Sequence, residues 1–88
     1  MFSMEQAIDA ANELGVRFDK YSFNEFLDGM NIELEHGKQN SKTNVTDDDV
    51  LTTAKIALAH LNEFPNYYNP VYGLRTFENF LKQKLNNK

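Results

Sequence analysis

The chain has 88 residues, with 13 Asp and Glu against 9 Lys and Arg, a formal charge of −4 and no cysteine. This length allows one domain and excludes a second, and 41% apolar residues, including seven Phe and four Tyr, suffice for one aromatic-rich core. The missing cysteines exclude disulfides, thiolate metal sites and a cysteine nucleophile, and the acidic charge argues against binding of duplex nucleic acid.

The first predicted helix begins after Ser3. Ser3 and Gln6 have the spacing of a capping box, and Ala7, Ile8, Ala11 and Leu14 then recur at helical spacing. Gly15 follows directly and is predicted to end the helix, because glycine readily adopts the left-handed conformation of a C-terminal cap. The connector at residues 16–21 is too short for a sheet of its own, so we expect it to lie against the core.

The second predicted helix begins after Ser22, where Ser22 and Glu25 repeat the capping signature. Its apolar stripe consists of Phe23, Phe26, Leu27, Met30 and Leu34. This spacing predicts a helix from about residue 23 to His36, with Gly37 as its stop. Gly29, inside the helix, costs about 1 kcal/mol relative to alanine, and we expect it to mark the close approach of a neighbouring helix.

A polar loop and a third helix are predicted next. Residues 37–46 lack periodicity and are rich in Gly, Asn, Ser, Thr and Lys, which is typical of a surface loop. Thr46 is the predicted N-cap, with residues 47–49, all Asp, in the first turn, where the helix dipole favours negative charge. The buried stripe consists of Val50, Leu51, Ala54, Ala57, Leu58 and Leu61. Pro65 predicts an end near Glu63 or Phe64.

The fourth predicted helix opens at Asn69-Pro70, an N-cap followed by a proline in the first turn. Its apolar positions are Val71, Leu74, Phe77, Leu81 and Leu85.

Together these patterns predict an all-α fold: one helical domain over residues 1–88, built as a small bundle of about four helices with the polar loop between the second and third. The chain has no long apolar run and no signal-peptide pattern at its start, so we expect a soluble cytoplasmic protein that does not enter a membrane.

Both histidines lie in two polar blocks, residues 33–37 and 55–63. On a helical wheel, Glu33 lies beside the apolar stripe of the second helix, and His60 flanks the stripe of the third. If these two helices pack together, the polar side chains at their edges could converge at one groove. The candidate ligand-binding residues are Glu33, Glu35, His36, Lys55, His60, Glu63, Tyr67 and Tyr68.

A metal site is one alternative for these blocks. The pairs Glu33/His36 and His60/Glu63 have the i, i+3 spacing at which two side chains can share a metal such as zinc, iron, manganese or nickel. The His-Glu-x-x-His signature is absent, however, and such pairs arise often by chance. We therefore expect no cofactor, and the four-residue metal set stays an alternative.

Each candidate also has a purely structural interpretation. A half-buried imidazole bonded to a carboxylate or a carbonyl accounts for either histidine. A solvated helix face accounts for Glu33 and Glu35, and an exposed ion pair for Lys55. Core packing is the more usual role for adjacent tyrosines such as those at positions 67 and 68. No phosphate-binding glycine loop or nucleophile elbow is present, so we expect a protein that is not an enzyme.

Three blocks of the sequence resemble a family of small uncharacterised proteins from bacteria and their phages, catalogued as a domain of unknown function. The blocks are Gly29-Met30-Asn31-Ile32-Glu33-Leu34-Glu35-His36-Gly37, Thr43-Asn44-Val45-Thr46-Asp47-Asp48-Asp49, and residues 55–68, KIALAHLNEFPNYY. The resemblance covers roughly residues 14–68 and departs after Tyr68, where the present chain is longer and more aromatic. It implies a small helical protein with a phage connection, and it transfers no catalytic role.

The resemblance and the residues together favour a non-enzymatic, phage-type binding protein that acts in the host cytoplasm as a homo-oligomer. Its partner would be a small polar ligand, such as a nucleotide immune signal sequestered in counter-defence, or a host protein. Phosphates would need cationic groups such as Lys20, Lys55 or Arg75. The alternatives are a metal-dependent hydrolase that uses Glu33, His36, His60 and Glu63, and a structural or assembly module of a virion.

Overall fold

The structure, a computed structural model, describes residues 1–71 and 73–86; residues 72, 87 and 88 lie outside the described part. The elements are α1 (Met4–Leu14), α2 (Phe23–Glu33), a 3₁₀ turn (Leu34–His36), α3 (Val50–Glu63) and α4 (Leu74–Asn86). Residues 1–71 and 73–86 contain no β-strand. The predicted all-α fold, a small bundle of about four helices, is confirmed.

Helix α1 has the predicted ends. The Ser3 hydroxyl accepts a hydrogen bond from the Gln6 amide at 3.2 Å, and the Ser3 amide donates to Gln6 Oε1 at 2.9 Å. Gly15 adopts the left-handed conformation, with φ of 66°, and its amide donates to the Asn12 carbonyl. The buried face of α1 is made of alanines at positions 7, 10 and 11, whereas Ile8, one of the apolar residues at helical spacing, is exposed.

Helix α2 ends three residues earlier than predicted. The Ser22 hydroxyl caps its start by accepting a hydrogen bond from the Glu25 amide at 3.1 Å. The α-helix stops at Glu33, and the chain tightens into the 3₁₀ turn that ends at His36. The His36 carbonyl accepts hydrogen bonds from the amides of Val45 and Thr46, so the returning loop satisfies a carbonyl left free at the helix end.

The predicted N-cap of α3 at Thr46 is wrong, because Asp49 caps the helix. The Asp49 carboxylate accepts a hydrogen bond from the Thr52 amide at 2.9 Å, and the helix begins at Val50. Asp47 and Asp48 lie in the loop with φ of 52° and 59°, a left-handed conformation that Asp tolerates better than most residues. Thr46 is buried and its hydroxyl accepts a hydrogen bond from the Asp48 amide.

Helix α3 ends at Glu63, as predicted, but α4 begins at Leu74 rather than at Pro70. The Asn69 side chain accepts a hydrogen bond from the Val71 amide, and the Gly73 amide donates to the Asn69 carbonyl. Asn69 and Pro70 therefore belong to a compact turn that precedes the helix.

The core lies where α1, α2 and α3 pack against one another. Its largest fully buried apolar side chains are Phe26, Met30 and Leu61. Phe18, from the connector, makes an edge contact with Phe26, which agrees with the expectation that the connector lies against the core. Within residues 1–71 and 73–86, no α4 residue belongs to the core, and no helix is long and apolar enough to cross a membrane.

Candidate functional site

The last residue of α2, Glu33, is a buried carboxylate with 4% of its surface exposed. The Tyr68 hydroxyl donates a hydrogen bond of 2.5 Å to Glu33 Oε2, and His60 Nε2 lies 3.9 Å from the same oxygen. A buried carboxylate without partners is strongly unfavourable, so these contacts allow Glu33 to occupy the interior. They join the end of α2, the last turn of α3 and the segment beyond it.

Three aromatic rings pack together beside this carboxylate. The rings of His60 and Tyr67 are stacked, with centroids 4.4 Å apart and planes 7° from parallel. The Tyr68 ring meets both of them edge-on, at 6.3 Å from His60 and 4.9 Å from Tyr67. We call Glu33, His60, Tyr67 and Tyr68 the polar-aromatic cluster. Its Tyr68 end is buried, whereas the His60 side chain is 37% exposed.

Gly29 makes room for the Tyr68 ring. A Cβ atom built on Gly29 would lie 2.5 Å from Tyr68 Cε2 and 2.6 Å from Cδ2, which is closer than real Cβ contacts allow. The close approach predicted for Gly29 is therefore present, but the neighbour is a side chain from the segment after α3 and not another helix. With no side chain at position 29, the Tyr68 ring packs closely against α2 and its hydroxyl reaches Glu33 one turn further on.

The two tyrosines of the polar-aromatic cluster have raised pKa values. Burial raises the pKa of Tyr68, and the hydrogen bond that it donates to Glu33 raises that pKa further. Burial also raises the pKa of Tyr67, with smaller contributions from the charges of Glu33 and Glu78. Both tyrosines therefore remain neutral near pH 7, and Tyr68 acts as a hydrogen-bond donor rather than as a base.

The segment between α3 and α4 forms one wall of a groove. The Tyr67 amide donates to the Phe64 carbonyl, and the Leu74 amide donates to the Tyr67 carbonyl at 2.6 Å, which ties the start of α4 to this turn. A Cβ atom on Gly73 would clash with the carbonyl oxygens of Tyr67 and Asn66, so the close packing requires glycine. The groove has a volume of about 560 Å³ and is lined by Phe64, Pro65, Asn66, Tyr67, Gly73, Leu74 and Phe77.

The structure brings together half of the predicted site residues. Contacts from Glu33 to His60 and Tyr68, and from both of these to Tyr67, join the four residues into one cluster. The other four candidates, Glu35, His36, Lys55 and Glu63, have exposed side chains. His36 takes part in the fold through its backbone carbonyl, which accepts two hydrogen bonds from the loop.

The convergence proposed for a metal site is not found. Among the described residues, no group of three or more His, Asp or Glu side chains could share a metal ion. The physical reason is that α2 ends at Glu33, so His36 lies on a 3₁₀ turn whose tighter winding moves it off the α-helical register used for the prediction. Glu33 and His60 meet as expected, whereas His36 and Glu63 do not join them.

Sequence reasoning missed the groove. Pro65 was interpreted only as a helix stop, and Leu74 and Phe77 only as apolar positions of the fourth helix, whereas Phe77 is 59% exposed and Phe64 is 60% exposed. One signal was available: a large aromatic residue next to a helix-ending proline lies where the chain turns, and such a side chain has fewer neighbours than one in the middle of a helix face.

Comparison with known proteins gives a family match. A family described as "Protein of unknown function (DUF5661)" matches residues 7–76, a span that runs from α1 to the first turn of α4 and includes the whole polar-aromatic cluster. No curated protein and no solved structure matches the chain. The match ends just before Phe77, so the exposed apolar residues of α4 from Phe77 onward lie beyond it.

Proposed function

The chain belongs to the DUF5661 family of proteins of unknown function, and we propose that it is a non-enzymatic binding protein that holds apolar side chains of a protein partner in the groove beside Tyr67. The observation that carries this proposal is the groove itself. It exposes the aromatic rings of Phe64 and Phe77 to solvent in a chain that has room for only one small core. Clustered exposed aromatic side chains are typical of protein-binding surfaces.

The polar-aromatic cluster supports binding more than catalysis. A general acid or base must be within hydrogen-bond reach of a substrate. Glu33 is buried and already accepts a hydrogen bond from the Tyr68 hydroxyl, and Tyr68 is itself only 5% exposed. In this proposal the cluster orients Tyr67, which stacks on His60 and forms part of the groove.

The groove suits apolar side chains better than a phosphorylated ligand. Its described lining contains no Lys or Arg, and Lys20, Lys55 and Arg75, the cations considered for phosphate binding, do not line it. A phosphate needs charge-assisted hydrogen bonds, which this lining does not offer. Sequestration of a nucleotide immune signal is therefore the less favoured form of the binding proposal. The phage origin and the cytoplasmic setting implied by the sequence resemblance remain part of it.

Retention of a partner by groove variants tests the proposal. Wild type, Phe64→Glu and the control Val45→Glu would each be immobilised and exposed to a lysate of bacteria that express the untagged chain. Bound proteins, including that chain, and heat-released small molecules would be identified by mass spectrometry. Val45 is also a large exposed apolar residue, but it lies in the loop before α3. We expect a protein that wild type and Val45→Glu retain and Phe64→Glu loses.

Two results would count against this function. One is a protein partner retained equally by all three variants, which would place its site elsewhere. The other is a phosphorylated small molecule released from wild type with no groove-dependent protein, which would favour the small-ligand form of the proposal.

A further inference from the structure

We infer that the protein partner of the groove is a second copy of this chain, held by antiparallel pairing of the two α4 helices. This inference rests on the proposed function, since it names the occupant of the same groove. It extends that function because it adds the exposed face of α4 beyond Phe77 and assigns a pairing register to it.

Helix α4 presents an apolar face that no other described helix covers, and within α4 itself the Lys84 ammonium lies 5.6 Å from the centroid of the Phe80 ring. The face consists of Leu74, Phe77, Phe80, Leu81 and Leu85. Phe80 is 51% exposed and Leu85 65% exposed, and none of the described α4 residues belongs to the core. A helix of 13 residues is only marginally stable alone in water, so this one needs a packing partner along most of its length.

Charge favours another copy of the chain as that partner. Residues 74–88 contain four Lys or Arg and one Glu, whereas residues 1–73 contain five Lys or Arg and twelve Asp or Glu. A basic helix therefore projects from an acidic body, and antiparallel pairing in a twofold dimer brings the basic C-terminal half of each α4, with Lys82 and Lys84, toward the acidic body of the other copy. A basic amphipathic helix also suits an anionic lipid surface, but the acidic body attached to it would be repelled there.

The register follows from the order of charges along α4. Glu78 lies in the first half of the helix and Lys82 in the second half, on the same side of the apolar face. Antiparallel pairing centred on Phe80 sets Glu78 of each copy beside Lys82 of the other. It also brings the two Phe80 rings together near the twofold axis. Leu85 of one copy then reaches Leu74 of the other, at the wall of the groove.

Light scattering with purified full-length protein over a range of concentrations tests the dimer. We expect wild type to be dimeric and Phe80→Glu to dimerise at least tenfold more weakly, because two carboxylates would meet near the axis. Met4→Glu is the matched control, since Met4 is an exposed apolar residue on α1 and should leave the dimer unchanged. Because Phe80 is outside the core, circular dichroism of the Phe80 variant should still show the fold.

A charge exchange tests the register. Glu78→Lys should weaken dimerisation, and the double variant Glu78→Lys with Lys82→Glu should restore it to within a few-fold of wild type. A parallel pair or a differently centred one would not show this rescue.

The inference is overturned if wild type stays monomeric at millimolar concentration, if Phe80→Glu remains as dimeric as wild type, or if the double variant is not rescued. Binding of the monomer to vesicles of anionic lipid, without dimerisation, would overturn it in favour of a membrane surface. If wild type is monomeric and retains a lysate protein that Phe64→Glu does not retain, the dimer is refuted and the proposed function stands. A dimer sensitive to Phe80→Glu but not to Phe64→Glu would show that the groove plays no part.

Discussion

At the scale of single residues, three positions explain how a carboxylate comes to lie in so small a core. Glu33 is buried, the Tyr68 hydroxyl donates to it, and Gly29 leaves the space that the Tyr68 ring fills. Glu33 needs the Tyr68 hydroxyl and the Tyr68 ring needs the space at Gly29, because an unpaired buried carboxylate and a clash with a tyrosine ring are both costly. Substitutions at these positions should therefore affect stability in a coupled way.

Tyr68→Phe removes the hydroxyl and leaves Glu33 without its closest hydrogen-bond donor. We expect the free energy of unfolding at pH 7 to fall by about 2 kcal/mol, the usual cost of removing a hydrogen bond to a charged buried group. Urea denaturation followed by circular dichroism measures the change. The matched control is Tyr21→Phe, which also removes a phenol hydroxyl. The hydrogen bond from Tyr21 to Asn62 is long, at 3.4 Å, so its loss should cost much less.

The pH dependence gives Tyr68→Phe a second readout. The pKa of Tyr68 is raised in the folded protein, so the stability it contributes is present below pH 10, the pKa of unfolded tyrosine. Above about pH 10 that stability declines by about 1.4 kcal/mol per pH unit, because only the unfolded chain releases the proton. The difference in the free energy of unfolding between wild type and Tyr68→Phe should therefore decrease between pH 9 and pH 11. A difference that stays constant would contradict a raised pKa at Tyr68.

Gly29→Ala should destabilise the protein although alanine favours helix. The gain in helix propensity is about 1 kcal/mol, and overpacking against the Tyr68 ring costs roughly 1–3 kcal/mol. In a Tyr68→Ala background the ring is gone, so the same substitution should become stabilising. A double-mutant cycle by urea denaturation measures this reversal. Equal effects in the two backgrounds would show that the Tyr68 ring does not restrict position 29.

At the scale of elements, the loop before α3 shows how a helix start is chosen among several candidates. Residues 46–49 offer four side chains that can cap a helix, and Asp49 does so. Two of the other candidates make hydrogen bonds within the loop instead. The Thr46 hydroxyl accepts a hydrogen bond from the Asp48 amide, and the Asp48 carboxylate accepts one from the Lys38 amide. Asp49 remains as the residue with extended backbone geometry next to the first helical turn.

Asp49→Ala should therefore lower the urea midpoint, and Asp49→Asn should restore most of it because an amide oxygen can also accept from the Thr52 amide. The hydrogen bonds from Thr52 lower the pKa of Asp49. The stability that this carboxylate contributes is thus present above pH 4 and is lost as the pH falls through the lower folded pKa. Urea midpoints measured from pH 2 to pH 7 should fall less steeply for Asp49→Asn than for wild type.

At the scale of the whole molecule, the chain divides into a packed part and a projecting part. Helices α1, α2 and α3 share one core, to which the segment after α3 adds Tyr68. Helix α4 is fixed near its start, where Leu74 bonds to Tyr67, and its remaining apolar side chains are exposed. We therefore expect the core to fold whether or not α4 is present.

A chain that ends at Gly73 should retain the fold and its cooperative unfolding, because it keeps every described core residue. A chain that ends at Pro65 should be much less stable, because it loses Tyr68 and leaves Glu33 buried without its hydroxyl partner. Thermal unfolding followed by circular dichroism compares the two with the full chain. Equal stability of the two shortened chains would show that the Tyr68–Glu33 bond contributes nothing to the fold.

The sequence by itself determined the local features of this protein. Capping residues and 3.6-residue periodicity predicted the all-α fold, both ends of α1 and the end of α3, because helix ends depend on side chains within a few positions of each other. Only the tertiary structure decided which polar residues meet. Glu33 and Tyr68, which form a hydrogen bond, are 35 positions apart in the sequence. His36 lies on a 3₁₀ turn and so departs from the α-helical register, and the described residues of α4 lie outside the core. Those outcomes depend on packing between elements, which periodicity along one element does not encode.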